Sequence, residues 1–168
     1  VKGPHLVVVP TSLLFNWEQE LARFAPGLKV HVYSGSERTL DVKDGDVVLT
    51  TYGLVRRDID RLEHLAFHVI VLDEAQAIKN AATRRAKAAS RIEAGFRLAL
   101  TGTPIENRLG ELWSIMGFAN PGLLGSAEQF NQRFAAPNER DGGAPASRRL
   151  RGLVTPRRCN RPGRSSRP

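Results

Sequence analysis

The sequence contains a single cysteine, Cys159. One thiol forms no internal disulfide and no cysteine-based zinc site, which suits a reducing compartment. No apolar run approaches the roughly 18 residues needed to cross a bilayer, and the N-terminal residues carry no signal-peptide pattern. No Gly-Lys pair occurs in the 168 residues. The Gly-x-x-x-x-Gly-Lys-[Ser/Thr] loop, whose backbone N–H groups and lysine cradle nucleotide phosphates, is therefore not among them. There is no internal repeat. The net charge of +8 is unevenly spread, because residues 141–168 hold eight arginines against Asp141 alone. Residues 1–140 are close to neutral, so the basic signature belongs to the tail and not to the body.

What remains is a hydrophobic content of 41% and a charged content of 25%, ordinary for one soluble globular domain with a real core. The chain is organised around Val69-Ile70-Val71-Leu72-Asp73-Glu74-Ala75-Gln76. Four apolar residues, three of them β-branched, predict a central parallel strand buried on both faces. The run ends at two adjacent carboxylates, and in open α/β sheets the carboxyl ends of the strands are where ligands bind. Nucleotide hydrolysis uses such a pair, one carboxylate holding Mg²⁺ on the phosphates and the other orienting the attacking water. An Asp-Glu pair that merely opens the next helix, complementing its dipole, accounts for this stretch equally well.

The surrounding pattern decides between the two. His5 to Val9 reads as a strand closed by Pro10. Thr11 or Ser12 can cap a helix to about Phe24, with Leu13, Leu14, Trp17, Leu21 and Phe24 on one apolar face. Lys29–Tyr33 and Asp46–Thr51 read as strands, and Leu54–Leu65 as one charged amphipathic helix. After the Asp-Glu strand come a helix from Thr83 to Glu93, a strand from Phe96 to Leu100, and helices at Gly110–Phe118 and Ala127–Phe134. Strand and helix alternating about five times with short turns predict an α/β fold, a parallel sheet with helices on both faces. From about Asn138 onward the composition turns to Gly, Pro, Ser and Arg, which predicts disorder. The expected division is thus a lobe over 1–137 and an arginine-rich tail over 138–168.

Four of the expected strands end in polar groups: Pro10-Thr11-Ser12 with Asn16-Trp17, Thr50-Thr51-Tyr52, Asp73-Glu74-Ala75-Gln76, and Thr101-Gly102-Thr103-Pro104. Singly these are turns and caps, and Trp17 reads as core. In this order, and within the long blocks VIVLDEAQAIKN and LTGTPIENRLGELW, they resemble the Swi/Snf-type helicase-like ATPases. These are superfamily 2 DNA translocases that include chromatin remodellers. The resemblance covers residues 5–136, with fainter echoes to Pro156. DEAD-box RNA helicases resemble the fold but typically carry Ser-Ala-Thr where this chain has Thr-Gly-Thr.

The resemblance implies a three-layer RecA-like (P-loop NTPase) fold, incomplete at the N-terminus, forming part of the first lobe of a two-lobe motor. By that likeness Asp73 binds Mg²⁺, Glu74 activates water and Gln76, where the family more often has His, senses the γ-phosphate side. Thr101, Gly102, Thr103 and Pro104 form the motif that couples the ATP site to the DNA track. Pro10, Thr11 and Ser12, with Thr50, Thr51 and Tyr52, touch one strand of double-stranded DNA. Such contacts position phosphates without reading bases, so binding is expected to be sequence-independent and salt-sensitive. Each assignment has a plainer alternative: Thr11 as a helix cap, Tyr52 as a half-buried ring, and Asn107, Glu111 and Trp113 as packing residues. Lys79, Arg84, Arg85 and Lys87 are then a solvated helix face.

In the family the phosphate loop lies upstream of the His5 strand, and a second RecA-like lobe follows. Residues 157–168 depart from the family pattern, and a disrupted reading frame is the expected cause. Half a nucleotide site predicts no ATP turnover by this polypeptide alone. A vacant place for the phosphate-loop strand is expected beside the Asp73 strand, leaving an apolar edge exposed. Two rivals stand beside the motor fragment: a non-enzymatic nucleic-acid-binding protein using the basic tail, and a half-motor completed by a second polypeptide. Twenty arginines against five lysines suit a GC-rich bacterial gene, hence a cytoplasmic, nucleoid-associated setting with no membrane partner.

Overall fold

Apolar runs of three to six residues become five parallel strands: β1 (His5–Val9), β2 (Val30–Val32), β3 (Val47–Thr51), β4 (Phe67–Leu72) and β5 (Ala94–Ala99). The computed structural model describes residues 2–36, 38–102 and 109–132. Within them the sheet order is β2-β3-β1-β4-β5, with Val7 opposite both Leu49 and Val71. The helices are α1 (Leu14–Phe24), α2 (Tyr52–Arg57), α3 (Ile59–Leu62), α4 (Arg84–Arg91), α5 (Leu109–Ala119) and α6 (Ala127–Phe130), with single 3₁₀ turns at Thr11–Leu13 and Ala75–Ile78. The chain divides into two compact units, Val1–Ala127 and Glu128–Pro168. The boundary expected at residue 137 lies outside the described residues.

Period-two alternation along β1 sends its side chains to two separate cores. Leu6 and Val8, with Ile70 and Leu72 of β4, pack under α2, α3, α4 and α5 through residues such as Val55, Leu62, Ala89 and Phe118. Val7 and Val9, with Val47 and Leu49 of β3, pack under α1 through Leu13, Leu14, Trp17 and Leu21. Full burial of each such side chain contributes about 1.5–3 kcal/mol, which is why β1 and β3 form the rigid centre. Gly3 is fixed by close approach, since a Cβ there would lie 2.3 Å from the Ala66 carbonyl oxygen.

The structure corrects several sequence expectations. β4 is not buried on both faces, because α1 lies over β3 and β2 and covers β4 only in part, through Trp17 and its neighbours against Val71. Val69 and Val71 are half-covered, and on β5 Phe96 and Leu98 are 62% and 50% exposed. There is no vacant place beside the Asp73 strand either. β4 pairs with β1 on one side and with β5 on the other, and among the described residues the edge strands are β2 and β5. The helix expected over Leu54–Leu65 breaks at Asp58, whose carboxylate is drawn out to Arg38 and Tyr33 while its backbone leaves the helical region. Neither Thr11 nor Ser12 caps α1 with its side chain; a 3₁₀ turn after Pro10 intervenes and Leu13 occupies the cap. Phe24, expected on the apolar face of α1, is 70% exposed with the Arg23 guanidinium 5.0 Å from its ring centroid.

Candidate active site

The strands β1, β3, β4 and β5 all run out on the same rim, so their following residues converge there. Asp73 continues the ladder by donating its N–H to the Val8 carbonyl at 2.9 Å. The chain then reverses at Glu74. This residue holds a left-handed backbone (φ 49°, ψ 54°), the one non-glycine to do so among the described residues. Such a conformation costs an L-residue about 1–2 kcal/mol. The reversal lets Ala75 N–H reach the Leu100 carbonyl at 2.8 Å, tying the carboxylate turn to the end of β5. Asp73 and Glu74 therefore stand half-buried on the same margin as Thr101 and Gly102.

Side chains join that margin into a chain of hydrogen bonds. The Thr101 hydroxyl donates to Gln76 Oε1 at 3.0 Å, and Gln76 Nε2 donates to Glu74 Oε2 by a short contact. The Gln76 amide thus bridges the two motifs, accepting from one and donating to the other. Thr103 and Pro104, assigned to the same turn from sequence, lie outside the described residues. So does Asn107.

Asp73 is held from three directions. Its Oδ1 accepts the Glu74 N–H at 2.9 Å, its Oδ2 accepts the Trp17 indole N–H at 2.7 Å, and its backbone carbonyl accepts the Tyr52 hydroxyl at 2.7 Å. Burial, and next the charges of Asp73 and Glu74, push the Tyr52 hydroxyl well above the usual phenol range, so it remains a donor. What sequence reasoning missed is that Trp17, read as core, and Tyr52, read as a DNA contact or a half-buried ring, both bond to Asp73. Trp17 is 56 positions from Asp73, and its placement among Leu13, Leu14 and Leu21 signals core packing, which it also does.

The residues expected to touch a DNA strand divide into two groups. Pro10 is half-buried, and Thr11 and Ser12 are exposed on the 3₁₀ turn at the rim, their hydroxyls making no hydrogen bond among the described residues. Thr50, Thr51 and Tyr52 are buried, and their hydroxyls bind inside the lobe: to the Tyr33 carbonyl at 3.0 Å, to the Leu54 N–H at 3.4 Å and to the Asp73 carbonyl. Those three side chains are not presented to a ligand. Their work is to hold β2, α2 and the carboxylate turn in place.

The donor set suits a hard divalent cation of the Mg²⁺ kind. Each Asp73 oxygen takes one neutral N–H and keeps lone pairs free, with Glu74 adjacent. No group of three His, Cys, Asp or Glu side chains forms a metal cage among the described residues. Mg²⁺ is commonly held by one or two carboxylates, its other positions going to water and phosphate oxygens. No described helix is long and apolar enough to cross a membrane.

Comparison with known proteins extends this geometry. The sequence matches the SNF2-related domain over residues 1–162. It is 43% identical over 161 residues to YwqA of Bacillus subtilis, assigned as an ATP-dependent helicase/translocase, covering 92% of this chain and 18% of that protein. It is 43% identical over 139 residues to the TATA-binding protein-associated factor MOT1 of Saccharomyces cerevisiae, covering 80% of this chain and 7% of MOT1. Among solved structures, the Sulfolobus solfataricus SWI2/SNF2 ATPase core in complex with dsDNA superposes with a TM-score of 0.83 at 45% identity. That match covers 92% of this chain and 32% of that one. The chain therefore spans less than a fifth of these two curated relatives and about a third of the ATPase core.

Proposed function

The chain belongs to the SNF2-related domain family, with the parallel RecA-like sheet of the SWI2/SNF2 ATPase core, and from that premise we propose what its rim does. It supplies the metal-binding and water-activating carboxylates, and part of the DNA track, of an ATP-driven motor that moves along duplex DNA. The observation that carries this is the continuous hydrogen-bonded rim Asp73–Glu74–Gln76–Thr101.

Asp73 would hold Mg²⁺, which when bound neutralises phosphate charge. Glu74 orients and deprotonates the attacking water, and Gln76 fixes the rotamer of Glu74 through its amide. Thr101 reports the state of that amide to the turn that follows, the motif also containing Gly102, Thr103 and Pro104. Thr11 and Ser12 offer exposed hydroxyls to DNA phosphates, contacts that position without reading sequence. The presence of dsDNA in the complex with the Sulfolobus core supports that role. ATP is the nucleotide implied by the relatives' names. A second RecA-like lobe is the required partner, and a bacterial nucleoid in the cytoplasm is the setting such a motor would occupy.

By itself this polypeptide turns over no ATP. Joined to a phosphate loop and a second lobe, it supports DNA-stimulated hydrolysis that falls about 10³-fold in Glu74→Gln while ATP binding persists. Equal rates in the two proteins would refute the assignment of Glu74. A second reading rests on the eight arginines of residues 141–168, which bind nucleic acid through charge alone. Deleting those residues separates the two: a tail-driven binder loses its DNA affinity, whereas contacts made by Thr11 and Ser12 survive.

A further inference from the structure

We propose that Trp17 is the positioning residue of the Asp73 carboxylate, its indole N–H setting the orientation in which that group meets a divalent cation. The proposal rests on the reading of Asp73 as the metal carboxylate and adds a residue to it. A free carboxylate rotates about its last bond and offers a cation many orientations. Here one oxygen is fixed by Trp17 Nε1 at 2.7 Å and the other by the Glu74 N–H at 2.9 Å. Two donors on two oxygens define the carboxylate plane, and a carboxylate has about four acceptor sites, so free lone pairs remain for a metal.

Indole suits this task for a specific reason. It donates only, so it cannot reverse its role, and it is neutral. Among the described residues no cation pairs with Asp73, so the negative charge a metal requires is left intact. An arginine or lysine in the same place would orient the carboxylate while competing with the ion. The ring is held as well, packed with Leu13, Leu14, Leu21 and Val71 against β1 and β3. Outer partners of this kind typically tune a metal ligand by 10- to 100-fold in affinity. Trp17 also lies in the first turns of α1, directly after the 3₁₀ turn of Thr11–Leu13. The orientation of Asp73 is thereby tied to the segment bearing the exposed hydroxyls.

The test uses the 168-residue polypeptide with Mn²⁺ alone as the probe, its affinity read from the electron spin resonance signal of free Mn²⁺ and its place from the indole N–H resonances. The chain has two tryptophans, and Trp113, bonded to the Gly125 carbonyl, serves as an internal control of the fold. Three results are expected. Mn²⁺ broadens the Trp17 signal more strongly than that of Trp113; Trp17→Phe weakens Mn²⁺ binding at least about tenfold with the metal-free Trp113 signal unchanged; Asp73→Ala abolishes the preferential broadening. Unchanged Mn²⁺ affinity in a folded Trp17→Phe protein overturns the positioning role and leaves the metal reading standing. Mn²⁺ binding that ignores Asp73→Ala overturns the metal reading, and the proposal with it. Should Trp17→Phe fail to fold, solvent exchange of the Trp17 N–H decides. Slow exchange that becomes fast in Asp73→Ala sustains the proposal, and fast exchange in the unaltered protein overturns it.

Discussion

At the scale of single residues, the backbone of Glu74 is where stability and chemistry conflict. A left-handed glutamate has no local advantage, and strain of this kind persists only where surrounding bonds over-determine it. Here those bonds are the one the Glu74 N–H donates to Asp73 Oδ1 and the one the Ala75 N–H donates to the Leu100 carbonyl. Glu74→Gly should accordingly be more stable than Glu74→Ala by about 1 kcal/mol, read from urea unfolding midpoints, because only glycine adopts this conformation without cost. Equal midpoints would mean the turn relaxes in both.

The two tyrosines make a second residue-scale prediction. Burial raises both hydroxyls above the ordinary phenol value, aided by Asp58 at Tyr33 and by Asp73 and Glu74 at Tyr52. A group whose folded pKa is raised lends stability that is fully present below its unfolded value, about 10, and lost as pH climbs through the folded one. At pH 10 the folded protein should therefore show less phenolate absorbance than the unfolded chain. Ionisation of Tyr52 should appear together with alkaline unfolding and not before it.

At the scale of elements, Asp58 shows how one side chain redirects a helix. Its carboxylate accepts from Arg38 Nε at 2.5 Å, from Arg38 Nη2 at 2.9 Å and from the Tyr33 hydroxyl at 3.1 Å. These bonds pin the loop after β2 onto the junction of α2 and α3. The Arg38 hydrogen bonds hold Asp58 below the usual carboxylate range against the opposing effect of burial. The sign follows from that depression. The contribution is complete above the unfolded value of about 3.9 and fades as pH falls through the lower folded value. Asp58→Asn should flatten the dependence of stability on pH below about 4, measured by denaturant melts across an acid series. A slope equal to that of the parent protein would remove Asp58 from the acid response.

At the scale of the whole lobe, the two faces of the sheet are unequally covered. One carries four helices. The other carries α1, which covers β4 only in part, against Val71. Phe96, Leu98 and Leu100 are left 62%, 50% and 44% exposed along the open edge strand. Contiguous apolar surface beside an unpaired strand edge promotes self-association. Leu98→Lys should lower light scattering of the isolated polypeptide without lowering its melting temperature, because that side chain is already half in solvent. Scattering unchanged by the substitution would place the sticky surface elsewhere.

The sequence by itself determined the strands, the parallel α/β class and the rim on which Asp73, Glu74, Gln76 and Thr101 gather. Apolar runs of strand length separated by helical periods admit few arrangements, and parallel strands deliver their carboxyl ends to one side. Only the tertiary structure decided which strands are neighbours, and so that β4 is flanked on both sides while β5 is open. It also decided that Thr50, Thr51 and Tyr52 face inward, and that an indole from α1 grips Asp73. Strand order and side-chain partners at separations such as 17 to 73 depend on how the helices stack across the sheet. Local pattern carries no record of that, because the same apolar spacing that packs Trp17 against a core says nothing of where its one polar atom ends.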